Sequence, residues 1–399
     1  MLFMGLLVLV GLVVLFAISP YQIHRINSEG GELDQSHYML KQLSYLAIGT
    51  GAFIAAMLTP LRVWKKLAGP LLVAAIVLSM LLALLGALSA PPAMCFNGAC
   101  RWFDFGIVSF QPAEFLKFAL LIYIAAFLAA RIRSGDVNNV DKTLIPLAVL
   151  LAIAAFFVIG LQKDMGTGIT IIGTITAMLI VSGIAMRYLA LGAAAGAGLG
   201  ILLILFSPHR VERVVTFLGG SGATDASTYH IDMAKLAIGS GGLFGRGLGG
   251  GVQAFGYLPE ALNDSIFAVL GEIFGFVGLL VIMGLFAVLL TRVMRTSERV
   301  SDPMLKLLAA GVFGWIASHV IVNIGAMTGL LPLTGVTLPF LSFGGTSLLF
   351  MMLALGIVYH ISRYTSLQTP KGDRDETSRR RRGIGGTRHS GTRRYQRAG

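Results

Sequence analysis

Long apolar runs alternate with short polar connections along most of the 399 residues. A helix needs about 20 mostly apolar residues to cross a bilayer. The pattern therefore predicts an all-α polytopic membrane protein with about ten transmembrane helices. The predicted spans are residues 2–18, 43–58, 67–88, 113–130, 144–161, 168–182, 188–206, 265–290, 305–328 and 346–361. The first lacks the basic start and cleavage site of a signal peptide, so we expect it to stay in the membrane.

Basic residues indicate the orientation, since Lys and Arg concentrate in cytoplasmic loops. With the N-terminus inside, Arg62, Lys65 and Lys66 fall in the first cytoplasmic loop, and the later inner loops are also basic. An even span count then places both termini in the cytoplasm. We expect a multi-pass protein of a bacterial inner or plasma membrane, with a membrane domain over residues 1–364.

Two segments depart from this pattern. Residues 207–263 predict a large extracytoplasmic loop between spans 7 and 8, because they are too polar and glycine-rich for lipid. Residues 365–399 hold almost nothing apolar, so they predict a disordered basic cytoplasmic tail. Such a tail can hold anionic lipid headgroups or dock a protein.

Composition supports the membrane assignment. Only 13% of residues are charged, about half the fraction in soluble domains. The net charge of +12 is unevenly distributed, since much of it lies in the tail, and nucleic acid is not an expected partner.

Cys95 and Cys100 share one short polar loop, either as a disulfide or as two free thiols, and offer too few ligands for zinc.

Ionisable residues in or beside spans are costly in lipid and are candidates for function. Asp264 lies where the large outer loop enters the eighth span. It could be a plain helix cap. Glu272 lies eight residues further on the same helical face, and a carboxylate at that depth must pair or face a polar cavity. The two acids together predict a polar cleft that opens outward.

Several other residues could line that cleft. Glu114 and Lys117 lie one turn apart at the start of the fourth span, where they could also form a purely structural pair. Asp164 lies in a polar break between two spans. His319 and Asn323 share a face of the ninth span, with hydrogen bonding between helices as their simplest role.

The outer loop is cationic and glycine-rich. It contains Arg210 and Arg213, followed by a glycine-rich run over residues 239–251. Exposed backbone N–H groups and Arg side chains can bind phosphate, although a flexible surface loop is an equal alternative. Beside an acidic cleft, this loop would suit a substrate that is anionic and lipid-anchored.

Nine runs, taken in order, resemble the shape, elongation, division and sporulation family of bacterial membrane proteins. They include Arg101-Trp102 and Asp264-Ser-Ile-Phe-Ala-Val-Leu-Gly-Glu272. The resemblance extends from the first span to Tyr364. The other runs are residues 110–117, 162–167, 210–213, 237–245, 257–260, 329–335 and 338–349.

This resemblance implies a peptidoglycan glycosyltransferase that polymerises lipid II, an undecaprenyl-diphosphate-linked disaccharide, into a lipid-linked glycan strand. The implied partners are a class B penicillin-binding protein that cross-links the strands, other divisome proteins and membrane lipids. The family's essential acid corresponds to Asp264, and Trp102 and Glu272 also match family positions. A Lys replaces the family's Pro at position 163. Thr337 and the Arg-rich tail are more like the division member than the elongation member, which controls cell shape.

From these observations we hypothesise that Asp264 is the general base for the acceptor hydroxyl. Arg210, Arg213 or a bound Mg²⁺ or Mn²⁺ ion would stabilise the departing pyrophosphate. The remaining assignments follow: Glu114, Lys117 and Asp164 shape the polar cavity with Glu272, and Glu260 and Trp102 position the acceptor. A single displacement would invert the anomeric configuration. Two rival interpretations are a lipid II flippase and a non-catalytic scaffold of the division machinery.

Overall fold

The computed structural model describes residues 1–28, 30–96, 99–106, 108–205, 211, 215 and 225–368. Eleven helices lie in this part of the chain. They are α1 (Leu2–Ser28), α2 (His37–Leu58), α3 (Leu61–Ala87), α4 (Pro112–Ser134), α5 (Ile145–Ala155), α6 (Met165–Ser182), α7 (Met186–Leu205), α8 (Asp225–Ser240), α9 (Ile266–Arg299), α10 (Pro303–Met327) and α11 (Gly345–Gln368). Short π-helical turns flank α5 at Val140–Leu144 and Phe156–Leu161, and a third covers Gln253–Tyr257.

Eight of the described helices are long and apolar enough to cross a membrane. They correspond to eight predicted spans, and the predicted seventh span is a shorter apolar helix over Met186–Leu202. The predicted second span is α2, which is 22 residues long and begins with the polar stretch from His37 to Gln42. The all-α polytopic fold is therefore confirmed. The predicted spans are too short at the C-terminal ends of α1 and α9, because both helices extend well past them.

The outer surface of the bundle is apolar on many helices. Phe16 of α1, Leu84 of α3, Ile172 of α6 and Val281 of α9 are each more than half exposed. In water such surfaces would favour aggregation, whereas acyl chains solvate them. The exposed apolar side chains therefore agree with a lipid-facing surface.

The centre of the bundle is formed by α4, α10 and α11, whose spans are the most buried. Helix α10 packs against α4, α6 and α9, and α11 packs against α2. Most of the charged and polar side chains discussed below project from α4 and α10. The fold thus places its polar groups inside, away from the lipid.

A three-stranded antiparallel sheet follows α3. Strands β1 (Ala93–Phe96), β2 (Ala99–Asp104) and β3 (Ser109–Phe110) lie in that order. Cys95 and Cys100 face each other across β1 and β2 and form a disulfide. Of the two alternatives for these cysteines, the structure therefore contains the disulfide and not the two free thiols.

The glycine-rich run packs on a break in α9. Gly275 has φ +67°, and a Cβ there would lie 2.3 Å from the backbone nitrogen of Gly245. The N–H groups of Arg246 and Gly247 donate to the carbonyls of Glu272 and Ile273 at 2.9 and 3.0 Å. These glycines allow two backbones to approach closely, so the N–H groups of Arg246 and Gly247 are used in this packing. A phosphate contact elsewhere in the run stays a prediction.

Candidate active site

Asp264 lies at one end of the bundle, where the outer loop meets α9. The N-cap of α9 is Ser265, so Asp264 does not occupy the capping position. Its side chain is half-buried, and a Cβ on Gly335 would lie 3.9 Å from its Oδ2 atom. The acid therefore faces the connection between α10 and α11, which covers residues 328–344.

Asn323 of α10 holds the backbone around this acid. Its Nδ2 atom donates to the carbonyl oxygen of Asp264 at 2.6 Å and to that of Val336 at 2.7 Å. The side chain is 1% exposed, so water cannot readily replace these bonds. One amide thus joins the start of α9 to the connection between α10 and α11.

His319, one turn before Asn323, links the same connection to α4. Its Nδ1 atom lies 3.0 Å from the carbonyl of Thr337, and its Nε2 atom lies 3.0 Å from Nζ of Lys117. Lys117 donates to Oε1 of Glu114 at 2.8 Å. The predicted pair of Glu114 and Lys117 is therefore present, fully buried, and part of a larger network.

The network fixes the tautomer of His319. Indole N–H groups only donate, and Nε1 of Trp315 donates to Nε2 of His319 at 3.2 Å. Lys117 is also a donor, so Nε2 accepts and the proton lies on Nδ1, which donates to Thr337. His319 thus makes the helix-to-helix bond expected from sequence, to Lys117 of α4. In addition, His319 and Asn323 both bind backbone of the connection beside Asp264.

Asp164 lies at the start of α6 and caps that helix. Its Oδ1 atom accepts from the backbone N–H of Thr167 at 2.9 Å, and its Oδ2 atom accepts from Nε2 of Gln111 at 3.0 Å. A Cβ on Gly166 would lie 2.6 Å from the carbonyl of Thr334. The cap therefore lies near the connection that faces Asp264.

Trp102 and Glu260 lie at the same end. Trp102 is half-buried on β2, next to Arg101, which donates to the carbonyls of Gln162 and Lys163 at 3.1 and 2.9 Å. Glu260 has φ +49° and its Oε2 atom accepts from Nδ2 of Asn263 at 2.5 Å. Both residues remain predicted contacts for the acceptor.

Glu272 differs from its predicted setting. Its carboxylate is fully buried and accepts from the backbone N–H groups of Val252, Gln253 and Ala254 at 2.7, 3.0 and 2.7 Å. The expected stripe of two acids along an open cleft is therefore wrong for Glu272. The outer loop folds over it, because three free N–H groups at the start of a helical turn attract a carboxylate.

Glu272→Gln should loosen this part of the outer loop. An amide presents N–H to a backbone donor, so at least one of the three bonds is lost, at a cost of about 1–3 kcal/mol. Hydrogen exchange at Val252, Gln253 and Ala254 should become faster. Glu298→Gln, an exposed acid on the same helix, is the control and should leave these amides protected. Unchanged exchange in Glu272→Gln would contradict this role.

Two predicted phosphate ligands, Arg210 and Arg213, lie outside the described residues, as does the tail from residue 369 onward. Within the described ranges no group of three or more His, Cys, Asp or Glu side chains could hold a metal ion. The contribution of a divalent cation therefore stays a prediction.

Sequence reasoning did not identify Gln111 or Trp315 as parts of the site. Gln111 is buried and bonded to Asp164, and Trp315 lies against both His319 and Lys117. The spacing of Trp315 and His319, four residues apart on one helical face, is the signal that could have indicated their contact.

Fold and site together define a class: a polytopic α-helical membrane protein with a half-buried acid and a polar network at one end of its bundle. The matching family model is described as "Cell cycle protein" and covers residues 1–367. The chain belongs to this family, which unites FtsW, RodA and SpoVE. The resemblance found in the sequence is confirmed.

Curated relatives match nearly the whole chain. Stage V sporulation protein E of Bacillus subtilis (strain 168) is 34% identical over 361 residues, covering 90% of this chain and 95% of the relative. The probable peptidoglycan glycosyltransferase FtsW of Coxiella burnetii is 36% identical over 332 residues, covering 82% of this chain and 87% of the relative. Several further relatives also carry the FtsW name, which supports the FtsW-like prediction.

Solved structures share the fold. A chain from a peptidoglycan synthase complex that coordinates polymerization and crosslinking superposes with a TM-score of 0.74 at 25% identity, covering 91% of this chain and 96% of that one. The rod shape determining protein RodA of Thermus thermophilus gives a TM-score of 0.63 at 25% identity, covering 91% and 95%.

Proposed function

We propose that this protein is a peptidoglycan glycosyltransferase that polymerises lipid II into glycan strands during cell division. The observation that carries the proposal is the setting of Asp264, an acid at one end of a lipid-embedded bundle, backed by a buried polar network. The family and the relatives named as glycosyltransferases support it.

The proposed chemistry is a single displacement. The Asp264 carboxylate takes the proton from the acceptor hydroxyl as that oxygen attacks the anomeric carbon of the donor. The bond to the pyrophosphate breaks in the same step, so the anomeric configuration inverts. Asn323 keeps the backbone of the base in place through its bond to the Asp264 carbonyl.

The leaving group must be stabilised as its charge develops. We assign this to Arg210 and Arg213 of the outer loop, or to a Mg²⁺ or Mn²⁺ ion. Lys117 is fully buried and bonded to Glu114 and His319, so we assign it to holding the site and not to direct contact with pyrophosphate.

The proposed cellular setting is a division complex in the bacterial cell membrane, with both termini in the cytoplasm and the active site on the outer side. The structural neighbour belongs to a peptidoglycan synthase complex, which supports a class B penicillin-binding protein as partner. Relatives named FtsW support septal synthesis over elongation.

A liposome assay separates this function from lipid transport. Purified protein is reconstituted with labelled lipid II in the outer leaflet, with and without the candidate transpeptidase. We expect lengthening glycan strands on a gel. If the label only changes leaflet, the protein is a flippase and the proposal is wrong. If neither occurs with the partner present, a scaffold role is favoured.

A further inference from the structure

A cavity of about 670 Å³ lies at the end of the bundle opposite Asp264. It is lined by the ends of α2, α4 and α11 and by the starts of α3 and α10, and it is open on one side. Its polar lining consists of Arg62, Lys65, Arg133, Asp302, His360 and Tyr364. None of these residues belongs to the site described above.

The lining carries an excess of positive charge. Arg133 pairs with Asp302 at 2.8 Å, so one cation and the acid balance each other. Arg62 and Lys65 make no ion pair or hydrogen bond within the part of the chain that the structure describes. Two exposed cations without an ion-pair partner among the described residues therefore line one half-open pocket.

The position of these cations at the start of α3 strengthens the field. The first turn of a helix has unpaired N–H groups and a positive partial charge, which favours acids and anions. Helix α3 has no acid in its first turn, and its N-cap residue, Pro60, has no side-chain group that could bind the free N–H groups. The helix carries Arg62 in that turn instead, with Lys65 three residues further on the same face. An anion in the cavity would resolve this local conflict.

The remaining lining is suited to an amphipathic molecule. His360 and Tyr364 also line the cavity, and an imidazole or a phenol can donate a hydrogen bond to an anion. Leu58, Leu61, Met304 and Leu305 form an apolar wall beside these groups. A free phosphate would leave that wall without a contact, whereas a phospholipid would cover it with its glycerol and acyl chains.

We propose that this cavity binds the headgroup of an anionic phospholipid from the leaflet at this end of the bundle. The phosphate lies against Arg62, Lys65 and the first N–H groups of α3. The first acyl carbons lie along the apolar wall. The site is separate from the proposed catalytic acid, so its test does not depend on polymerisation.

The test measures lipid retained by the full-length protein in nanodiscs of equal phosphatidylglycerol and phosphatidylcholine. After detergent extraction, native mass spectrometry counts each lipid on the protein. Arg62→Gln combined with Lys65→Gln should reduce bound phosphatidylglycerol about tenfold or more. Phosphatidylcholine should change little. The basic tail is the same in every variant, so its contribution cancels.

Lys66→Gln combined with Arg295→Gln is the matched control, because it removes two exposed cations outside the cavity lining. It should retain phosphatidylglycerol like the unmodified protein. Equal retention by all three proteins, or an equal loss in the control, would overturn the proposal. Displacement of the lipid by soluble glycerol phosphate would instead identify a site for free phosphate esters and would also overturn it.

Discussion

Asp264→Asn should abolish strand synthesis, with a loss of at least about 100-fold in the rate from lipid II. Asparagine has nearly the same shape but cannot accept the proton of the acceptor hydroxyl. The fold should be unaffected, because Asn323 binds the backbone carbonyl at position 264 and not the carboxylate. The measurement is polymer length and amount with the purified variant, together with its thermal unfolding.

Asp141→Asn is the matched control, since it makes the same change at an exposed position just before α5, at the other end of the bundle. Its polymerisation rate should equal that of the unmodified protein. If Asp264→Asn polymerises at an undiminished rate, this acid has no part in the reaction. A scaffold would also tolerate Asp264→Asn in growing cells, so complementation gives a second readout.

Glu114→Gln should strongly destabilise the bundle. Lys117 is 1% exposed, and removing its partner leaves a buried charge without compensation. Breaking such a pair costs about 3–5 kcal/mol, so the midpoint of thermal unfolding should fall clearly. The effect should reach the active site, because His319 joins Lys117 to the backbone of Thr337.

Glu114→Gln combined with Lys117→Met should recover part of that loss, because no buried charge remains. Asp136→Asn is the control. It breaks the more exposed pair with Lys142, which is worth about 0–1 kcal/mol. The comparison also needs Lys117→Met alone. If the double variant loses as much free energy of unfolding as the two single variants added together, the side chains of Glu114 and Lys117 are not coupled and the proposed network is wrong.

Much of the fold follows from the sequence, because lipid imposes a simple rule. Apolar runs of sufficient length have to be helices, so every predicted span corresponds to a helix. The helix ends were less predictable. Helices α1 and α9 continue past the apolar part of their sequence, and at the end of α1 a hydrogen bond from Arg25 to the distant carbonyl of Gly256 helps to hold the added residues.

The candidate site was predictable in part. Asp264, Glu114 and Lys117 are ionisable groups in apolar stretches of sequence. Placing a charge in lipid is costly, so these residues could be identified as functional candidates directly. Glu272 met the same criterion, but its partners are backbone N–H groups of a loop whose path the sequence does not reveal. The role of Gln111 likewise depends on Asp164, 53 residues away, and no local pattern indicates a pairing at that separation.

The covalent bond between Cys95 and Cys100 bears on the orientation of the protein in the membrane. Its hairpin adjoins the loop before α6 through Arg101, and so lies at the same end of the bundle as Asp264. Thiols in a reducing cytosol stay apart, whereas those in an oxidising compartment stay joined. A joined pair at this end fits the proposed placement of Asp264 on the outer side of the membrane, which the distribution of Lys and Arg also predicts.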